Sequence, residues 1–290
     1  MTRSSALLLL VAFLGLPGAA LSQTTTERTI SVRQGTRLAL HTVNGSIRVR
    51  AWDRNTVHLV ARHDPQARVE IDEEGTTLRV STHPGGKKQE VVYTVSVPRA
   101  MDLDLHAVHA PISVEGASGR VAIHNVKGAI QVRGGNGLVE ANSVEGGVSV
   151  QGARGRISAH SVNAGVVVAD CSGTIEVGAV NGGLRLARID SRSVEATSVN
   201  GGIDYDGSIY RDGVYRFKSH NGSVTVTVPE GVGADVTVST FNGSFTASFP
   251  VTFREAHQGK TFGFVLGSGG AQIELQSFNG PIRLRRPGQQ

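Results

Sequence analysis

Apolar and polar residues alternate with a period of two over most of the chain beyond residue 27. Arg28-Thr29-Ile30-Ser31-Val32, Ser46-Ile47-Arg48-Val49-Arg50 and Thr56-Val57-His58-Leu59-Val60 are clear cases. Such alternation puts one face of a strand in a core and the other in water. No segment carries a helical spacing of apolar positions, so an all-β chain is expected.

The alternation itself repeats. A phrase of small polar residue, Val, Asn, Gly recurs as Thr42-Val43-Asn44-Gly45, Ala179-Val180-Asn181-Gly182 and Ser198-Val199-Asn200-Gly201, with Ser161-Val162-Asn163-Ala164 as a near copy. Looser copies place His109, Lys127 and Glu145 at the Asn position, and later ones place Asn221, Asn242 and Asn279 there. Positions 109, 127, 145, 163 and 181 are 18 residues apart; the series then widens to 200, 221 and 242. A fixed short period marks stacked units that bury their apolar faces against each other. Each unit reads as two short strands with two corners. Asn44, Asn163, Asn181, Asn200, Asn221, Asn242 and Asn279 are structural corner residues, with Asn-Gly suited to positive φ. The second corner is often Gly-x-x-Gly, as in Gly134 to Gly137.

Stacking predicts inward columns: Ile112, Ile130, Val148, Val166, Leu184, Ile203; Val114, Val132, Val150, Val168, Leu186, Tyr205; and Val121, Val139, Ile157, Ile175, Val194. The corner valines Val108, Val126, Val144, Val162, Val180 and Val199 are read as a fourth inward column. The fold expected is one single-domain parallel β-solenoid, or β-helix, with 18–21-residue coils and irregular β end sections. Two or three strands per coil both fit 18 residues, and handedness stays open.

The first 22 residues read differently. Arg3 precedes the apolar run Ala6 to Leu16, Pro17-Gly18 breaks it, and Ala20-Leu21-Ser22 offers small residues for cleavage before Gln23. This is the pattern of a secretory signal peptide, and the run is short for a membrane span. The expected organisation is 1–22 signal peptide and 23–290 solenoid: 23–105 irregular, 106–204 regular coils, 205–290 longer coils. No later segment reads as a membrane span, so a periplasmic, cell-surface or secreted protein is expected.

Composition narrows the chemistry. Gly is 37 of 290 residues and aromatics are 5%, which fits many turns around a thin core. One cysteine excludes an internal disulfide and the common Cys-based zinc sites. Cys171 falls in a small inward column with Ala117, Gly135 and Ala153 and reads as a buried thiol. The formal charge is +5, scattered and mostly arginine; a nucleic-acid tract would be denser and interleaved with aromatics.

Three positions before each corner Asn lie His41, His106, His124, Asn142, His160, Gly178 and Thr197; two residues earlier lie Asp104, Ala122, Glu140, Ser158, Glu176 and Glu195. Both columns should face outward, with His106 about 5 Å from His124. His106, His124, His160, Glu140, Glu176 and Glu195 are the surface-binding candidates. His106, His124 and Asp104 are weak candidates for a metal or a response to acid, and no metal or cofactor is assigned. Gly134-Gly135-Asn136-Gly137 lacks the Asp and recurrence of a calcium β-roll. Gly259-Lys260-Thr261 and Gly267-Ser268-Gly269-Gly270 lack the remaining glycines of phosphate and dinucleotide loops.

Several motifs together resemble the putative-adhesin family of exported bacterial proteins, whose function is unknown and which is related to the head GIN domains of autotransporters. They are Val43-Asn44-Gly45-Ser46-Ile47-Arg48-Val49, Trp52-Asp53-Arg54, Val95-Ser96-Val97-Pro98 with Leu103-Asp104-Leu105, the Gly-x-Ile-x-Val phrases, and Ser277-Phe278-Asn279-Gly280-Pro281-Ile282-Arg283-Leu284. The resemblance spans roughly residues 28–285, and implies a β-helical fold and an envelope or extracellular setting, with no catalytic residues. The function expected is a non-enzymatic binding or scaffold module that meets an envelope glycan or protein through a flat solenoid face, with no nucleic acid and with self-association open. The alternatives are an end-to-end polymer and a polysaccharide-active enzyme; for the latter, Asp204 and Asp206, or Glu140 and Glu176, are the available carboxylates.

Overall fold

The computed structural model describes residues 23–83, 90–251, 253–256 and 261–288. The expected export segment 1–22, the stretch Pro84-Gly85-Gly86-Lys87-Lys88, whose composition predicts an exposed turn, and Gly259-Lys260 lie outside these residues. The described chain is all-β, with 25 strands and no helix. Most strand pairs are parallel and stack in two faces, called here sheets A and B; the long strands Arg37–Trp52 and Leu184–Ser198 run through both.

Each 18-residue unit gives one strand to each sheet. In sheet A, Ile47, Ile112, Ile130, Val148, Val166, Leu184, Ile203, Val224 and Ile282 are register partners in succession. In sheet B the succession is His41, His106, His124, Asn142, His160, Gly178, Thr197, Lys218, Gln276 and Ser239. Rungs of such a ladder are about 4.8 Å apart. The three strand columns expected inside are buried throughout, closing over Tyr205, Tyr215 and Phe217. Burial pushes the Tyr205 phenol well above its ordinary pKa, and its hydroxyl donates to Ser208 O at 2.8 Å. Cys171 is buried in the same interior, as are Ala117 and Ala153 of its column.

Three expectations change. The corner valines are not inside: Val126, Val144, Val162, Val180 and Val199 are each about 40% exposed. Alternation runs on through the corner, so the inward position belongs to the small residue before each valine. Four serines of that column bond to the corner of the preceding rung: Ser161, Ser198, Ser219 and Ser277 donate to Gly146, Gly182, Gly201 and Gly222 carbonyls at 2.9–3.0 Å.

Positive φ falls mainly at the other corner. Gly116, Gly134, Gly152, Asp170 and Arg188 form that column, with φ from 52° to 81°. Its last two members are joined by an ion pair, which holds the Asp170 carboxyl below its usual range. At the Asn-Gly corner, glycine is needed for close stacking: a Cβ on Gly182, Gly201, Gly222 or Gly280 would meet the carbonyl oxygen of the adjacent rung at 2.0–2.1 Å. The asparagines form an amide ladder, Asn163–Asn181–Asn200–Asn221–Asn279–Asn242, with side-chain bonds of 2.8–3.0 Å.

That ladder also exposes a change of order. The rung after Asn221 is Asn279, and Asn242 lies beyond it, because strand Ala271–Ser277 inserts between Val214–Ser219 and Ala234–Thr240. Ala234–Thr240 is then covered by the antiparallel strand Thr261–Leu266. At the other end, Thr24–Ser31, Thr56–His63 and Arg68–Glu74 also pair antiparallel.

Candidate functional site

The outer face of sheet B carries the candidate residues. Rings of His41 and His106 have centroids 4.7 Å apart, and those of His106 and His124 are 5.0 Å apart. His160 is separated from them by Asn142 and bonds Ser158 at 3.1 Å. His106 Nε2 meets Asp104 Oδ1 at 2.8 Å, so this imidazole donates to the carboxylate. His41 is held below the ordinary imidazole pKa by burial first and then by His106; Asp104 opposes and Arg79 adds to the lowering.

The carboxylates beside this row also face arginines. Asp104, Glu140 and Glu176 face Arg37, Arg120 and Arg156 at 3.6–4.0 Å, and Glu140 also accepts from Asn142 at 3.2 Å. Glu195 is exposed. Among the described residues no three His, Cys, Asp or Glu side chains are grouped to hold a metal. Of the carboxylates weighed for glycoside chemistry, Asp204 is bound to Arg285 at 3.0 Å.

The outward valines complete the feature. Positions three and one before each corner Asn lie on the same outward face, so the imidazole row and the valine row run side by side. Together they line a groove of about 970 Å³ that extends from His41 and Ser81 to Thr197 and Val199. Apolar atoms dominate its floor through Val43, Val108, Val126, Val144, Val162, Val180 and Val199. Over the next rungs the valine column becomes His220, Phe278 and Phe241, whose rings stack at 4.8 Å. These line a second groove of about 830 Å³ with Lys218 and Gln276. The sequence signal was present, since Phe241 and Phe278 occupy the valine position of the repeat.

No family model matches the chain, and no curated protein matches it. Solved structures do. A "putative adhesin" from Bacteroides fragilis is 14% identical, covering 92% of this chain and 98% of its own, with a TM-score of 0.43. One from Parabacteroides merdae is 11% identical, covering 93% and 97%, at 0.44. A "putative lipid binding protein" from Parabacteroides distasonis is 10% identical, covering 91% and 96%, at 0.49.

Proposed function

We propose that the chain is an exported, non-enzymatic binding or scaffold module. In this reading residues 23–290 are one parallel β-solenoid, freed of a signal peptide before Gln23, and an envelope glycan or protein is held against the grooved face of sheet B. The observation that carries the reading is the continuous groove, formed by two outward columns that the repeat keeps in register over seven rungs. A ligand that follows such a ladder gains one equivalent contact set per rung. The antiparallel strands at both ends support a discrete particle over an end-to-end polymer, since they interrupt the parallel edge that another copy would extend.

Co-sedimentation of residues 23–290 with purified peptidoglycan sacculi tests the reading. The wild type should pellet with the sacculi, and His106→Ala/His124→Ala/His160→Ala should stay in solution while folding normally. Equal pelleting of both would remove the groove from the binding face. Mass spectrometry of the protein recovered from a bacterial host should find Gln23 at the N-terminus.

A further inference from the structure

We infer that the valine ladder is a seat for one straight hydrocarbon chain, supplied as a free long-chain fatty acid. The inference rests on the groove being the binding face, and names what lies in it.

The dimensions select a thin occupant. Seven valine rungs at about 4.8 Å give a strip about 29 Å long, and the two outward columns are about 7 Å apart along the strand, so the strip covers about 200 Å². A stable protein interface needs about 800 Å² per partner, so a second copy or a globular partner would find a quarter of that here. An acyl chain spans half of a bilayer core of about 30 Å, so one lies within the strip.

Spacing separates a hydrocarbon from a peptide. An extended peptide places side chains on one face about every 6.6 Å, and falls out of step with a 4.8 Å ladder within a few rungs. The groove also offers no unpaired strand edge, because each rung from Arg37 to Ser198 is bonded on both sides, so strand addition has no backbone to join. A polymethylene chain has no side-chain repeat to match. It meets a floor of methyl groups that is uniform from Val126 to Val199, each about 40% exposed.

Charge fits the same occupant. The groove edge is imidazole, amide, glycine and hydroxyl from His41 to Thr197, joined at its far end by Glu176 and Glu195. Of these two carboxylates Glu176 faces Arg156 at 3.9 Å and Glu195 is exposed, while Asp104 and Glu140, beside the row, face Arg37 and Arg120. The edge around His124 is therefore polar, and the carboxylates of the lining are confined to the Glu176–Glu195 end. His106 is bonded to Asp104, whereas the hydrogen bond of His124 is at Nδ1, facing Asn142 at 3.5 Å. Among the described residues none bonds the Nε2 of His124, which leaves it for a carboxylate head group.

Calorimetric titration with saturated fatty acids, lengthened two methylenes at a time and kept below micelle formation, tests this. A methylene half-buried in the groove should raise affinity about twofold, so each step should raise it about fourfold. Val126→Thr/Val144→Thr/Val162→Thr keeps side-chain shape on an exposed face and should lower affinity about tenfold. Val167→Thr, at an equally exposed valine on sheet A, should leave it unchanged. Affinity that is flat with chain length, or insensitive to the triple variant, overturns the inference. So does light scattering that shows a dimer broken by the triple variant, which would seat a second copy there. If fatty acids fail while the triple variant abolishes sacculus binding, the hydrocarbon inference falls and the groove reading stands. If neither probe responds, both fall.

Discussion

The stacking role of the corner glycines makes a sharp prediction. In Gly201→Ala the added Cβ would lie 2.0 Å from Gly182 O and 2.4 Å from Gly182 C, both backbone atoms of the neighbouring rung. Reaching ordinary contact requires the two corners to part by more than 1 Å at a spacing of about 4.8 Å. Four hydrogen bonds cross that boundary: Val199 N to Ala179 O at 3.1 Å, Asn200 N to Val180 O at 2.7 Å, Asn200 Nδ2 to Asn181 Oδ1 at 2.8 Å, and Ser198 Oγ to Gly182 O at 3.0 Å. At about 1 kcal/mol net each, their loss costs about 4 kcal/mol. Gly134→Ala is the contrast. Its Cβ would be no nearer than 3.6 Å to Gly116, so only the positive φ of 81° opposes it, at roughly 1–2 kcal/mol. Asp170 and Arg188 already hold that column with side chains. Urea unfolding followed by circular dichroism, with midpoints compared at constant slope, measures both. Equal costs, or a loss below about 1 kcal/mol for Gly201→Ala, would refute the stacking account.

Other consequences are as direct. Ser143 Oγ has no partner among the described residues, because the Gly128 carbonyl that its column position would reach accepts Asn125 Nδ2 at 2.8 Å; Ser143→Ala should be neutral or slightly stabilising, whereas Ser161→Ala should cost about 1 kcal/mol in the same unfolding assay. His41 titrates below 6.5 in the folded chain, so the unfolded chain takes up that proton first as pH falls. The stability present above pH 6.5 should decline as pH falls through 6.5 towards the lower folded value. A thermal midpoint that falls less over this window in His41→Gln than in the wild type would bear this out; parallel profiles would not. Burial pushes the Cys171 thiol up, and Ala153 N donates to its sulfur at 3.4 Å. A thiol reagent should label it only as fast as the chain opens, and rapid labelling of the folded protein would contradict its placement.

The local pattern of residues determined much of this protein. Alternation in Ile112-Ser113-Val114 and its copies fixed strands, faces and the three buried strand columns, because the side-chain period of a strand is two. The 18-residue step aligned those faces, and with them the outward row His106, His124, Asn142 and His160. What the sequence could not decide lay at the corners and the ends. The corner valines are as apolar as the core, and composition alone cannot tell which side of a bend they take; the hydrogen bonds of Ser161 and Ser198 to neighbouring glycine carbonyls put the small residue inside and the valine out. That reversal turned a row of polar side chains into the wall of an apolar groove. Rung order at the C-terminal end was equally hidden. Asn242 follows Asn221 at a repeat-like distance in sequence, yet Asn279 takes the place beside it. Any strand with the right alternation can occupy a parallel edge, and only the competition among strands for that edge, settled in the folded chain, chooses which one does.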